Sequence, residues 1–93
     1  TKTKMTEKLW YLYVVECSDN SLYTGITTDL NRRIIEHNSS NKGAKYTRPR
    51  RPVILVYSEI HPNRSVASKS EYKIKQLSKQ NKLLLIQKES KRF

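Results

Sequence analysis

Cysteine is nearly absent: Cys17 stands alone, which excludes an internal disulfide framework. Only His37 and His61 stand beside it, too few ligands for a closed structural zinc site. Acidic residues are few. Eight Asp and Glu against nineteen Lys and Arg leave a formal charge of +11. Apolar residues make up only 35%, so the core must be small. No apolar run approaches the ~20 residues of a membrane-spanning helix. Residues 1–8 are polar, and no small-residue cleavage pattern follows Leu9–Val15, so no secretory signal is expected. No internal repeat or low-complexity tract breaks the 93 residues. That length suits one domain, residues 1–93, with 1–8 and 88–93 expected to be flexible. A basic, cytoplasmic, non-membrane protein is the expectation.

What is present is positive charge. A compact chain at +11 repels itself and attracts polyanions, of which nucleic acid is the commonest in a cell. The densest basic stretch runs from Lys42 to Pro52, and its glycine and prolines argue for a loop. Lys45, Arg48, Arg50 and Arg51 there are suited to neutralising phosphates, and Tyr46 to stacking on a base. A solvated linker kept soluble by its charge explains the same residues equally well.

The apolar pattern reads as β-β-α-β-α-α. Leu9–Val15 is aromatic and β-branched on both parities, which suits a strand buried on both faces. Residues 17–21 carry turn chemistry, and Asn20 tolerates a left-handed backbone. Leu22–Ile26 is the return strand. A three-residue loop, Ser18 to Asn20, pairs Cys17 with Ser21 and puts Tyr13 and Tyr23 on one face as diagonal neighbours. A two-residue loop puts them on opposite faces. A helix follows to about Asn38, with Thr28 as its N-cap and Leu30 and Ile34 inward. Arg33 and His37, four residues apart, share one flank of it. Pro52–Ile60 reads as a third strand. Asn63 or Ser65 caps a second helix, with Val66, Ala67, Ser70, Ile74 and Leu77 on one arc and Glu71 at its border. Ser78 caps a last helix bearing Leu83–Ile86, and residues 87–93 are expected to fray. The fold class is α+β: a small three-stranded antiparallel sheet flanked by about three helices.

Tyr11-Leu12-Tyr13, Tyr23-Thr24-Gly25, Arg33 ten residues after Tyr23, His37, and Glu71 on a later helix together resemble the GIY-YIG nuclease superfamily. The likeness spans Trp10 to about Leu84. Within the superfamily the chain is similar to the small, stand-alone bacterial YhbQ-like proteins, chiefly in Leu22–Gly43 and from Glu71 to Lys82. It departs from the pattern in two ways. Ile26 stands where several active members place a lysine. Leu83 lies twelve residues past Glu71, where active members often place an amide; Gln80 and Asn81 are the nearest amides.

The resemblance implies phosphodiester hydrolysis, with Tyr13, Tyr23, Arg33, His37 and Glu71 as catalytic residues. Arg33 would hold a non-bridging phosphate oxygen and offset developing charge. Glu71 would anchor one divalent metal, Mg²⁺ or Mn²⁺, with waters and phosphate oxygens filling the shell. Tyr13 or Tyr23, with Tyr23 preferred, would take a proton from water, although a free phenol with a pKa of about 10 is a weak base. His37 would orient or protonate a tyrosine hydroxyl, or contact phosphate. The expected partner is nucleic acid, DNA ahead of RNA, recognised by its structure rather than its sequence, with a protein partner able to add specificity.

Each residue also has a structural reading. Tyr13 and Tyr23 suit a half-buried pleated surface. Arg33 and His37 suit a solvated helix flank. Glu71 precedes Lys75 by four residues, the favourable order for a helical ion pair of roughly 0.3–0.5 kcal/mol. Only the joint spacing points to catalysis. Ile26 and the missing amide favour the alternative, a non-catalytic nucleic-acid-binding module on the same scaffold.

Overall fold

The computed structural model describes residues 9–39 and 42–90, with side chains through residue 88. The flexibility expected of residues 1–8 and 91–93 lies outside them. Strand β1 spans Trp10–Glu16, β2 Leu22–Thr27 and β3 Ile54–His61; helix α1 spans Leu30–Ser39, α2 Arg64–Lys75 and α3 Lys79–Ser90. The order is the expected β-β-α-β-α-α. The sheet is antiparallel, in the order β2-β1-β3. β1 is therefore the centre strand, and four consecutive residues, Leu12–Val15, are buried. Covering both faces of one strand requires both parities to be apolar.

The hairpin between β1 and β2 takes the three-residue loop. Cys17 N–H donates to the Ser21 carbonyl at 2.8 Å, and Asn20 sits in the left-handed region at φ 68°. Asp19 Oδ1 accepts from the Ser21 amide at 3.1 Å and its hydroxyl at 2.6 Å, the turn bond that Asp makes locally. Tyr13 thus opposes Gly25 and Val15 opposes Tyr23. That register puts both tyrosines on one face.

Each face of the sheet has its own small core. Tyr13, Val15, Cys17 and Val53 pack with Tyr23 and with Leu30 and Ile34 of α1. Leu12, Val14, Tyr57 and Ile74 pack on the other face with Leu22, Ile26, Val56, Leu85 and Ile86. Helix α1 covers one side, α2 and α3 the other.

Four expectations need correction. Helix α1 is capped by Asp29, whose Oδ1 accepts from the Arg32 amide at 3.1 Å. Thr27 Oγ1 takes the Asp29 amide at 3.1 Å, which fixes the entry and leaves Thr28 outside the cap. Strand β3 begins at Ile54, two residues after Pro52. Val66 is 39% exposed because α2 turns Ala67 and Ile74 inward instead. Helix α3 continues to Ser90 past the expected fraying point. Asn63 Oδ1 caps α2 at 3.0 Å from the Val66 amide, and Ser78 Oγ caps α3 at 3.2 Å from the Asn81 amide, both as expected.

Candidate active site

Tyr13 stands in the middle of the site. Its ring lies against Gly25 of the edge strand, where an added Cβ would fall 2.5 Å from the hydroxyl oxygen. A side chain at position 25 is thus excluded by the phenol. The Tyr13 hydroxyl meets His37 Nε2 at 2.8 Å. His37 Nδ1 meets Thr47 Oγ1 at 3.0 Å. Relative exposures of 1%, 0% and 0% for Tyr13, His37 and Thr47 put this row of polar groups inside the protein. Burial holds the His37 ring down to about 4, assisted by the Arg33 and Arg51 charges, with Glu36 opposing. At neutral pH it is an uncharged imidazole. Being fully buried, it presents no surface to a phosphate, and being neutral it meets Tyr13 as a hydrogen-bond partner rather than as a cationic acid.

Arg33 lies half-buried on the same helix, one turn before His37. Its Nη1 donates to Glu36 Oε1 at 3.1 Å and to the Lys42 carbonyl at 2.7 Å. Its charge also bears on the Tyr13 phenol and favours the ionised form there. A guanidinium has five donors, so these contacts orient it without exhausting it. Burial pushes the Tyr13 phenol up, against the pull of Arg33, while Tyr23 and Glu71 add a smaller push upward. Tyr13 is therefore a protonated phenol held by His37. Tyr23 packs edge-on to His37, with ring centroids 5.4 Å apart.

Glu71 comes from α2, the helix whose Ile74 packs in the other core. Its Oε2 pairs with Lys75 Nζ at 3.2 Å, the ion pair expected from the spacing. Its negative charge is nonetheless felt at the Tyr13 phenol. No group of three or more His, Cys, Asp and Glu gathers among the described residues. A lone carboxylate, with its side chain 23% exposed and facing a flexible lysine, fits a hard cation that takes most of its ligands from water and phosphate oxygens. It does not fit zinc.

The basic loop is a built structure. Tyr46 stacks on Tyr23, with centroids 5.9 Å apart and 20° between planes. The Arg50 guanidinium lies 4.1 Å from the Tyr46 centroid, a cation–π contact. Arg50 Nε also pairs with Asp19 Oδ2 at 3.0 Å, and its Nη1 donates to the Tyr46 carbonyl at 2.8 Å. Arg51 Nε donates to the His37 carbonyl, and its Nη2 to the Glu36 carbonyl at 3.4 Å. The linker reading is thereby replaced. Arg50 and Arg51 tie the loop to the hairpin and to the end of α1, and Tyr46 props Tyr23. Lys45 and Arg48 lie on the exposed side.

The structure brings Tyr13, Tyr23, Arg33 and His37 into one cluster and reaches it from Tyr46 and Arg51. Glu71 comes from a separate helix and lies within electrostatic range of Tyr13. Sequence reasoning misses Thr47 and Asp19. A threonine in a basic loop carries no signal for a buried histidine partner. Asp19 is readable as a turn residue but not as the anchor for Arg50, 31 positions away.

Residues 9–83 match the family model described as the GIY-YIG catalytic domain. The UPF0213 protein DP2720 of Desulfotalea psychrophila is 60% identical over 84 residues, covering 90% of this chain and 76% of that one. The UPF0213 protein SH2523 of Staphylococcus haemolyticus is 54% identical, covering 83% and 93%. Among solved structures, the solution NMR structure of the UPF0213 protein BH0048 from Bacillus halodurans aligns with a TM-score of 0.55 at 47% identity, covering 85% of this chain and 83% of that one. The protein EF2693 from E. faecalis aligns with a TM-score of 0.56 at 44% identity, covering 86% and 88%. With a match of this extent and relatives this similar along most of its length, the chain belongs to the GIY-YIG family and sits among its UPF0213 members.

Proposed function

We propose that the protein is a metal-dependent endonuclease that hydrolyses DNA phosphodiester bonds and selects its sites by DNA structure rather than sequence. The observation that carries this reading is Arg33. It is a half-buried guanidinium aimed by Glu36 and the Lys42 carbonyl, on a chain of charge +11. Such a group offers a fixed fork to a non-bridging phosphate oxygen, and it offsets charge that grows on that oxygen during attack by water. Tyr13 stands beside the fork, protonated and bonded to His37. Tyr23, set beside it and propped by Tyr46, would act as the phenolate that takes the proton of the attacking water and becomes the neutral phenol. His37 acts behind Tyr13 and touches no substrate. Glu71 would hold a Mg²⁺ or Mn²⁺ ion, which supplies Lewis-acid stabilisation of the leaving oxygen when bound.

Cleavage of single-stranded, nicked and branched DNA with Mg²⁺ or Mn²⁺ tests this, comparing wild type with Glu71→Gln and Arg33→Ala. Both variants should lose cutting by about 100-fold or more. Glu71→Gln should keep its salt-sensitive DNA binding. Equal cutting by Glu71→Gln would overturn the assignment.

The Glu71–Lys75 ion pair at 3.2 Å favours a second reading, a non-catalytic nucleic-acid-binding module. Binding without cutting of any substrate by wild type, with either metal, would select it.

A further inference from the structure

Hydrogen bonds around His37 have a direction, and the Ala44 carbonyl sets it. A carbonyl can only accept, and Thr47 Oγ1 lies 3.0 Å from this one. Beyond Thr47 stand the His37 ring and the Tyr13 hydroxyl, linked at 3.0 and 2.8 Å.

Thr47 gives its one hydroxyl proton to the Ala44 carbonyl, which also receives the Thr47 and Arg48 amides at 3.1 and 3.2 Å. The Thr47 oxygen can then only accept from the ring. Nδ1–H therefore donates to Thr47 Oγ1, Nε2 is bare, and the Tyr13 hydroxyl donates to it. In the reverse direction Nε2–H would point at the Tyr13 oxygen, and the phenol proton would need another acceptor inside a residue that is 1% exposed. A buried polar hydrogen left without an acceptor is costly.

We propose that Thr47 is a positioning residue for the reaction. It takes the His37 Nδ1 proton and so sets the ring tautomer. That turns the Tyr13 hydroxyl proton inward, toward the ring, and leaves the phenol oxygen free to accept from the site. The catalytic consequence rests on the proposed nuclease function; the tautomer does not.

Two-bond ¹H–¹⁵N correlation spectra separate protonated from bare ring nitrogens. In wild type at pH 7, His37 should show a protonated Nδ1 and a bare Nε2, and Thr47→Ser should match. Thr47→Val keeps the shape but removes the acceptor, and should shift the ring toward the Nε2–H form. A wild-type ring protonated at Nε2, or an unchanged tautomer in Thr47→Val, would overturn the proposal. In cleavage assays Thr47→Val should lower kcat about tenfold or more with KM within about twofold, and Thr47→Ser should restore it. A loss confined to KM, or no rescue by serine, would also overturn it. If Thr47→Val fails to fold, the wild-type and Thr47→Ser spectra still decide the tautomer. A wild type that cuts nothing but shows the expected tautomer would remove the nuclease reading and, with it, the catalytic role of Thr47.

Discussion

Gly25 and His37 show how single residues constrain the site. A methyl group at position 25 would fall 2.5 Å from the Tyr13 oxygen and 2.7 Å from Cζ. The phenol cannot swing away without leaving His37. Gly25→Ala should therefore destabilise by about 1–3 kcal/mol, as overpacking does, read from urea unfolding midpoints. An unchanged midpoint would mean that the ring has room to move. His37 gives a pH signature. Its ordinary value is 6.5, and its folded value is about 4. The stability of holding a neutral ring is fully present above pH 6.5 and is lost as pH falls toward 4, because the unfolded chain takes the proton first. Linkage makes the protein about 2 kcal/mol less stable at pH 5 than at pH 7. His37→Gln removes the titrating group, so its stability should fall less over the same interval. The same loss in the variant would place the titration elsewhere.

At the scale of elements, polar ties hold segments that a small core cannot fix alone. On the face away from Tyr13, Glu59 of β3 accepts from the Tyr57 hydroxyl, from Ser70 Oγ of α2 at 2.8 Å and from His61 Nε2 at 2.9 Å. Burial opposes its charge, but those bonds prevail and hold the carboxyl below its usual range. Ser70 adjoins Glu71, so this tie also fixes the helix that carries the metal-ligand candidate. Glu59→Ala should cost about 1–3 kcal/mol by leaving buried donors unpaired, measured by chemical denaturation. A loss near zero would show that water replaces the carboxylate.

The elements also show what is legible in the sequence. The apolar pattern of β1, the turn residues before Ser21 and the caps Asn63 and Ser78 are local signals, and the structure follows them. The Tyr13–Tyr23 register depends on loop length, which is also local. Thr27, Thr28 and Asp29 are all good caps, and the choice among them turns on Thr27 taking the Asp29 amide. Val66 faces outward because hydrophobic spacing does not fix how a helix rotates on a sheet. The Thr47, Asp19 and Glu59 bonds join residues 10 to 31 positions apart, and no local pattern announces them.

At the scale of the molecule, charge organises binding. Nineteen basic residues against eight acidic ones make affinity for nucleic acid salt-dependent. The loop's basic residues divide by their work. Lys45→Ala with Arg48→Ala should weaken binding to all sequences alike and flatten the salt slope by about one unit for each phosphate no longer neutralised. Arg50→Ala or Arg51→Ala should also lower Tm, because each ties the loop to its neighbours. An unchanged slope in the first pair would remove the loop from the footprint.

On the proposed function, Arg33 acts as a fork on a phosphate, and not merely as a charge. Single-turnover cleavage of a nicked duplex with Mn²⁺ by wild type and Arg33→Lys tests it most directly, because lysine keeps the charge and loses the planar geometry. The rate should fall by about 10²–10³ while the salt slope of binding stays unchanged. Cleavage by Arg33→Lys at the wild-type rate would contradict the account.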